Sequence, residues 1–173
     1  AFLIFIILIP FFFLVSIIIY ISDGFPIFFS QKRVGKNNVH FNLYKFRTMK
    51  KDTPDIATHL MKNPERYLIK FGTFIRKYSL DEIPQIFNII NSDMSFVGPR
   101  PALYNQNDLI SLRTSKNIHT IMPGITGWAQ INGRDELSIK KKVELDLFYL
   151  LNKNLLLDFK ILIKTTTRVF RTK

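Results

Sequence analysis

The first 22 residues, AFLIFIILIPFFFLVSIIIYIS, carry no charge and only three polar side chains, Ser16, Tyr20 and Ser22. At about 1.5 Å per residue a helix of this length reaches about 33 Å, the thickness of a hydrocarbon core. Such a run predicts a helix in a lipid bilayer and constrains everything downstream to work against a membrane. It lacks the basic start, short apolar stretch and small-residue site of a cleaved signal peptide. The chain starts at Ala1 without a methionine, so further residues are expected before it. Pro10 deletes a helix hydrogen bond near the middle of the run. The residues alone leave two readings open, a kinked spanning helix and a helix-break-helix that enters and leaves by one face.

The remainder is strongly basic. The 173-residue chain has 25 lysines and arginines against 13 acids, a formal charge of +12, which calls for an anionic partner: nucleic acid, an acidic membrane surface or a phosphorylated substrate. No cysteine is present, which excludes disulfides and thiolate chemistry, and His40, His59 and His119 are too scattered for a zinc cluster. Any metal is therefore expected to be a hard cation on carboxylates.

After a turn at Asp23-Gly24 and Pro26, FPIFFSQKRV and VHFNLYKFRTM read as two extended segments around GKNN. In the second, Phe41, Leu43, Lys45, Arg47 and Met49 share one parity, so a strand points Lys45 and Arg47 the same way. Residues 50–66 are polar and broken by proline, a loop or a loosely held helix. YLIKFGTFIRKY and IFNIINSDM have helical spacing. The stretch from Leu137 to the C-terminus is helical in pattern, with lysines and arginines among leucine, isoleucine and phenylalanine. It predicts amphipathic helices, on a soluble surface or along a bilayer.

SLDEIPQ places Asp81 and Glu82 side by side. Ser79 three residues before Glu82 matches a capping box. A helix beginning at Leu80 or Asp81 instead brings Pro84 close to its first turn. In either case the two carboxylates are expected at the positive end of a helix, where capping and catalysis are both open to them. Asp135-Glu136, followed by Lys140, reads as the charged start of another helix. The basic motifs add context. Arg100 stands between Pro99 and Pro101, which stiffen its backbone; Gly124, Gly127, Trp128, Gly133 and Arg134 form a glycine-rich loop with one flat aromatic face. Taken singly, each is a turn with a solvated arginine. Together Lys45/Arg47, Arg76, Arg100 and Arg134 point to a diphosphate.

The ordered series SQKRVG, KFRTM, SLDEIPQ, FNIINSDMSFVGPRP and PGITGWAQINGR closely resembles the bacterial sugar transferases that start glycan assembly on a polyprenyl phosphate, the small monotopic phosphoglycosyltransferases. The resemblance runs to about Asp158. It implies an α+β, mostly helical chain: a membrane-embedded re-entrant helix over residues 1–22 breaking at Pro10, then a cytoplasmic catalytic domain over 23–173 with a short β-hairpin and C-terminal amphipathic helices at the membrane surface. It further implies that Asp81 and Glu82 are the catalytic dyad. Asp81 attacks the β-phosphate of a UDP-sugar, UMP leaves, and polyprenyl (undecaprenyl) phosphate takes the phosphosugar from Asp81. Glu82 is implied to bind Mg²⁺, with Asp146 and Asp158 as lesser candidates at the metal. Lys45, Arg47, Arg76, Arg100 and Arg134 are implied to hold phosphates. The expected setting is the cytoplasmic face of a bacterial inner membrane, with UDP-sugar, polyprenyl phosphate and the bilayer as partners and no nucleic acid. The rival readings are a membrane glycosyltransferase releasing UDP, a tethered nucleic-acid binder using Trp128, and an inert membrane adaptor.

Overall fold

The chain is described by a computed structural model covering residues 2–53, 61, 63–133 and 136–171, the last four by backbone alone. Its elements are α1 (Phe2–Asp23), β1 (Phe28–Val34), β2 (His40–Phe46), α2 (Gly72–Lys77), α3 (Gln85–Ile90), β3 (Ser95–Val97), β4 (Ala102–Leu103), α4 (Asn107–Ser115), β5 (Gly124–Thr126), α5 (Trp128–Ile131), α6 (Ile139–Asn152) and α7 (Leu155–Arg171). They form two compact units. The first comprises the residues up to Ser30 with Tyr44–Ile86, and the second Gln31–Leu43 with the residues from Phe87 onward.

In the first unit, α1 is long and apolar enough to cross a membrane. It is a helical element with Pro10 inside it. A proline inside a helix removes one N–H and is a site where the helix axis bends. Ser16 and Ser22 return their hydroxyls to the carbonyls of Phe12 and Ile18 at 2.7 and 2.6 Å, so neither leaves an unpaired polar group in an apolar helix. One side of α1 packs onto the unit. Val15 and Ile19 are buried with Ile27, Phe46, Ile69 and Ile75, and Phe12, Ile18, Leu80 and Ile83 close around them. Phe12, Phe28 and Phe46 form an aromatic triangle with ring centroids 4.8 to 5.6 Å apart. Most of the other α1 side chains, from Phe2 and Leu3 to Ile17 and Ile21, are exposed.

The expected hairpin is present. β1 and β2 are joined through Lys36–Asn38, and Asn37 and Asn38 take the left-handed conformation that lets the chain reverse. β4 adds to the other edge of β1, giving the order β2-β1-β4, with Arg33 opposite Leu103 and Val34 opposite Ala102, antiparallel.

The second unit also holds a parallel pair, β3 with β5, in which Ser95 faces Gly124 and Val97 faces Thr126. Backbones come very close here: a Cβ on Gly124 would lie 2.1 Å from the Gly98 amide nitrogen. Only glycine permits this approach. Two apolar clusters support the unit, one of Val34, Ala102, Leu109, Ile118 and Val143, the other of Val97, Tyr149 and Ile161. Helix α7 is two-sided. Ile161 is fully buried, while Leu155, Leu156, Phe159, Leu162 and Ile163 are exposed.

One expected helix start moves. The capping box at Ser79 does not form, because Ser79 itself is left-handed, at φ 55°, and its hydroxyl caps nothing. Leu80–Glu82 make one 3-10 turn and α3 begins only after Pro84, a residue that has no N–H to donate. Helix α6 begins at Ile139, with the Ser138 hydroxyl accepting from the Lys141 amide at 3.3 Å. Glu136 precedes this helix, and Asp135 lies outside the described residues.

Candidate active site

The carboxylate pair Asp81 and Glu82 is built from the chain reversal after α2. With Ser79 left-handed, the 3-10 turn sends Leu80 and Ile83 onto the apolar core of the first unit. Asp81 and Glu82 lie between these two anchors. Asp81 is 9% exposed, far less than a surface helix-capping acid.

Lys45, near the end of β2, reaches both acids. Its Nζ donates to Asp81 Oδ2 at 3.3 Å and to Glu82 Oε1 at 2.9 Å. One ammonium thus serves two carboxylates. Burial is the largest influence on Asp81 and raises its pKa above the ordinary carboxylate value; Lys45 opposes that rise and the neighbouring Glu82 charge adds to it. Arg76, from α2, also favours the ionised Asp81. Burial lowers the Arg76 pKa, and the Asp81 charge raises it in return. The guanidinium remains charged at any physiological pH. It is oriented by its Nε, which donates to Thr48 Oγ1 at 2.8 Å. Thr48 in turn lies against the start of α2: a Cβ on Gly72 would come within 2.5 Å of the Thr48 carbonyl oxygen. The first unit therefore assembles Lys45, Arg76, Asp81 and Glu82, a carboxylate pair flanked by cations.

Arg47 does not join them. Strand β2 ends at Phe46, and the buried guanidinium of Arg47 is bound by the Asp23 carboxylate and by the backbone carbonyls of Asp23, Gly24, Pro26 and Met49. The shared parity with Lys45 ends where the strand ends.

The second unit holds the other expected residues. Arg100 is half-buried between the buried Pro99 and Pro101, and its carbonyl accepts from Arg113 Nη1 at 2.8 Å. Arg134 lies outside the described residues. Asp146 is 1% exposed, and its Oδ2 accepts from Arg113 Nη2 at 2.6 Å and Nε at 3.0 Å. Burial raises its pKa against the pull of Arg113. Asp158 accepts from the Tyr149 hydroxyl at 2.8 Å, and burial followed by that contact pushes the phenol's pKa up. Trp128 stacks on Phe148 at 5.2 Å, with Lys160 and Lys164 over its ring. The flat face on which the nucleic-acid reading rested is thus engaged within the protein.

No group of three or more metal-ligating side chains gathers among the described residues. The Asp81 and Glu82 pair still fits Mg²⁺. Its donors are hard carboxylate oxygens already drawn to one cation, and Mg²⁺ is commonly held by one or two protein carboxylates with substrate phosphates and water completing the shell. Asp146 and Asp158 have protein partners on their carboxylates instead.

Sequence reasoning missed Asp23, Thr48 and Arg113. Thr48 adjoins Arg47 in KFRTM, but Arg76, which it meets, is 28 positions away, and Arg113 meets Asp146 across 33 positions. No local pattern announces such pairings.

Comparison with known proteins agrees with this geometry. The profile of the family described as "Bacterial sugar transferase" matches residues 1–172. The chain is 46% identical over 154 residues to the protein named uncharacterized sugar transferase EpsL of Bacillus subtilis (strain 168), covering 88% of this chain and 74% of that protein. It is 40% identical over 161 residues to UDP-glucose:undecaprenyl-phosphate glucose-1-phosphate transferase of Xanthomonas campestris pv. campestris, covering 88% of this chain and 33% of that one. It is 34% identical over 155 residues to UDP-N-acetylgalactosamine-undecaprenyl-phosphate N-acetylgalactosaminephosphotransferase of Aeromonas hydrophila, covering 87% and 37%. The chain thus spans about three quarters of one relative and about a third of the two larger ones. A match over nearly the whole length, together with a buried carboxylate pair flanked by Lys45 and Arg76, leads to one conclusion: this chain belongs to the bacterial sugar transferase family.

Proposed function

We propose that the chain transfers a sugar phosphate from a UDP-sugar to polyprenyl phosphate, releasing UMP through a covalent intermediate on Asp81. The observation that carries this reading is the buried Asp81 carboxylate held by Lys45 beside Glu82 and Arg76. A carboxylate kept mostly from water, yet biased toward ionisation by adjacent cations, has the properties of an activated oxygen nucleophile. The names of the relatives, which specify undecaprenyl phosphate and UDP-sugars, support the two substrates.

The bonds balance in two displacements. An Asp81 oxygen forms a bond to the β-phosphorus as the oxygen bridging the two phosphates departs with UMP. A phosphate oxygen of the lipid then attacks the same phosphorus, and the Asp81–phosphorus bond breaks to give a polyprenyl diphosphate sugar. The bond from sugar to phosphate stays intact throughout. Lys45 and Arg76 orient the donor phosphates and offset their charge as the carboxylate approaches. Arg100 and Arg134 are assigned to the phosphates on the same reading. Glu82 holds the Mg²⁺, which when bound neutralises diphosphate charge.

One substrate is soluble and the other is confined to lipid, so the site belongs at the boundary. We assign α1 to the bilayer, re-entrant about Pro10, and the exposed apolar side of α7 to the membrane surface on the cytoplasmic side, where UDP-sugars are found. The relatives' names differ in their sugar, glucose in one and N-acetylgalactosamine in another, and the donor is identified by trial.

The test is incubation of the full chain in lipid with polyprenyl phosphate, Mg²⁺ and a panel of UDP-sugars. UMP as the nucleotide product and a phosphosugar adduct on Asp81 are the expected results. Release of UDP, or turnover by Asp81→Asn at the native rate, overturns the proposal.

A further inference from the structure

We infer that Arg47 is a positioning residue which, through Asp23, fixes the reacting carboxylates at a set distance from the membrane helix. This rests on the transferase reading above and assigns a role that reading left open.

Asp23 is the only charged residue among the first 31 and the last residue of α1. A carboxylate there faces the negative end of the helix dipole, beside carbonyls that have no helical partners. Arg47 answers both conditions. Its Nη1 donates to the Asp23 carboxylate, and its Nη2 donates to the carbonyls of Asp23 at 3.2 Å and Gly24 at 2.7 Å. Its Nε donates to the Pro26 carbonyl, and Nη1 also reaches the Met49 carbonyl at 3.4 Å. The residue is 6% exposed, and every guanidinium nitrogen has a partner. Its backbone amide adds a bond to the Ile27 carbonyl at 2.9 Å. The exit of the membrane helix is thus tied at several points to a single side chain.

That side chain is two residues from the lysine of the site. In Lys45-Phe46-Arg47, Lys45 holds Asp81 and Glu82, Phe46 packs on Phe12 of α1 and Phe28 of β1, and Arg47 closes the end of α1. Three consecutive residues therefore link the carboxylates, the body of the helix and its exit. A shift of Arg47 would carry Lys45 with it. The donor arrives from water and can follow such a shift, whereas an acceptor phosphate held at the lipid surface cannot. The pair should therefore matter for the second displacement more than for the first.

The experiment uses the full chain in vesicles and separates the two displacements. Exchange of labelled UMP into UDP-sugar requires only soluble reactants and reports the first; transfer to long-chain polyprenyl phosphate in the bilayer reports the second. Arg47→Lys keeps the charge but loses the planar fork, and Asp23→Asn keeps the shape and removes the charge. Both are expected to retain exchange at close to the native rate while bilayer transfer falls by up to about 100-fold, the cost of misplacing reactants by about 1 Å. Transfer to a short-chain prenyl phosphate in detergent micelles should remain near native, because that acceptor is free to adjust. Parallel loss of exchange and transfer in both variants would make Arg47 a phosphate ligand or a purely structural residue, and unchanged bilayer transfer would remove its role altogether; either overturns the inference. Absence of exchange in the native chain would instead overturn the transferase reading, so the two failures are distinguishable.

Discussion

The ammonium of Lys45 lies 3.3 Å from Oδ2 of Asp81 and is the strongest of the influences holding that carboxylate's pKa down against burial. Removing it as Lys45→Met leaves burial and the Glu82 charge unopposed by the nearest cation, so the Asp81 pKa should rise further. UMP release should fall by about 100-fold or more, a typical loss for a misdirected or protonated reacting group. Its pH profile should move to higher pH. A profile that keeps its native midpoint would show that Lys45 acts on the substrate alone.

Asp81→Asn should abolish turnover and stabilise the fold. The native pKa is raised, so ionised Asp81 costs stability. The full stability is present below the unfolded pKa and is lost as pH rises through the higher folded pKa, leaving the penalty in force at neutral pH. The asparagine removes that penalty. For a chain of this size each kcal/mol relieved raises the unfolding midpoint by about 2–4 °C. Thermal scans of both proteins at neutral and acidic pH check this, with the difference expected to shrink in acid.

Asp146 offers a contrast between structure and metal binding. Its carboxylate is 1% exposed and bonded twice by Arg113, which also bonds the Arg100 carbonyl. Asp146→Ala leaves a buried guanidinium without its counter-charge and should destabilise the chain by about 3–5 kcal/mol. The Mg²⁺ concentration giving half-maximal activity should stay at its native value in whatever fraction remains folded. Denaturant unfolding and a metal titration measure the two effects separately.

The outward side of α7 can be probed directly, since the chain has no cysteine of its own. Leu156 is 82% exposed, and Glu144 on α6 is exposed as well. A polarity-sensitive fluorophore on Leu156→Cys should shift to the blue when the protein is placed in anionic vesicles, while the same label on Glu144→Cys should not. Equal spectra from the two labels would take α7 off the membrane surface. Burying a leucine-sized side chain contributes about 1.5–3 kcal/mol, so Leu156→Glu should also loosen α7 from lipid, as read by faster amide exchange in vesicles.

Several features were legible in the sequence because they depend on neighbours along the chain. A run of 22 residues without charge reads as a helix long and apolar enough to cross a bilayer, and the structure has that helix. Two extended segments around the GKNN turn read as the β1-β2 hairpin, and lysines and arginines interleaved among apolar residues marked the C-terminal stretch as helical. Adjacent carboxylates in SLDEIPQ could be singled out, but their spacing could not separate a capping role from a chemical one. Only the folded chain shows that Asp81 is buried and that Lys45 reaches it across 36 positions. Tertiary structure likewise sent Arg47 to Asp23 and Asp146 to Arg113, and put the start of α3 at Gln85, after Pro84. The physical reason is common to these cases. A charged side chain's role depends on which opposite charge and how little water it meets when the chain is folded, and both are set by residues far away in sequence.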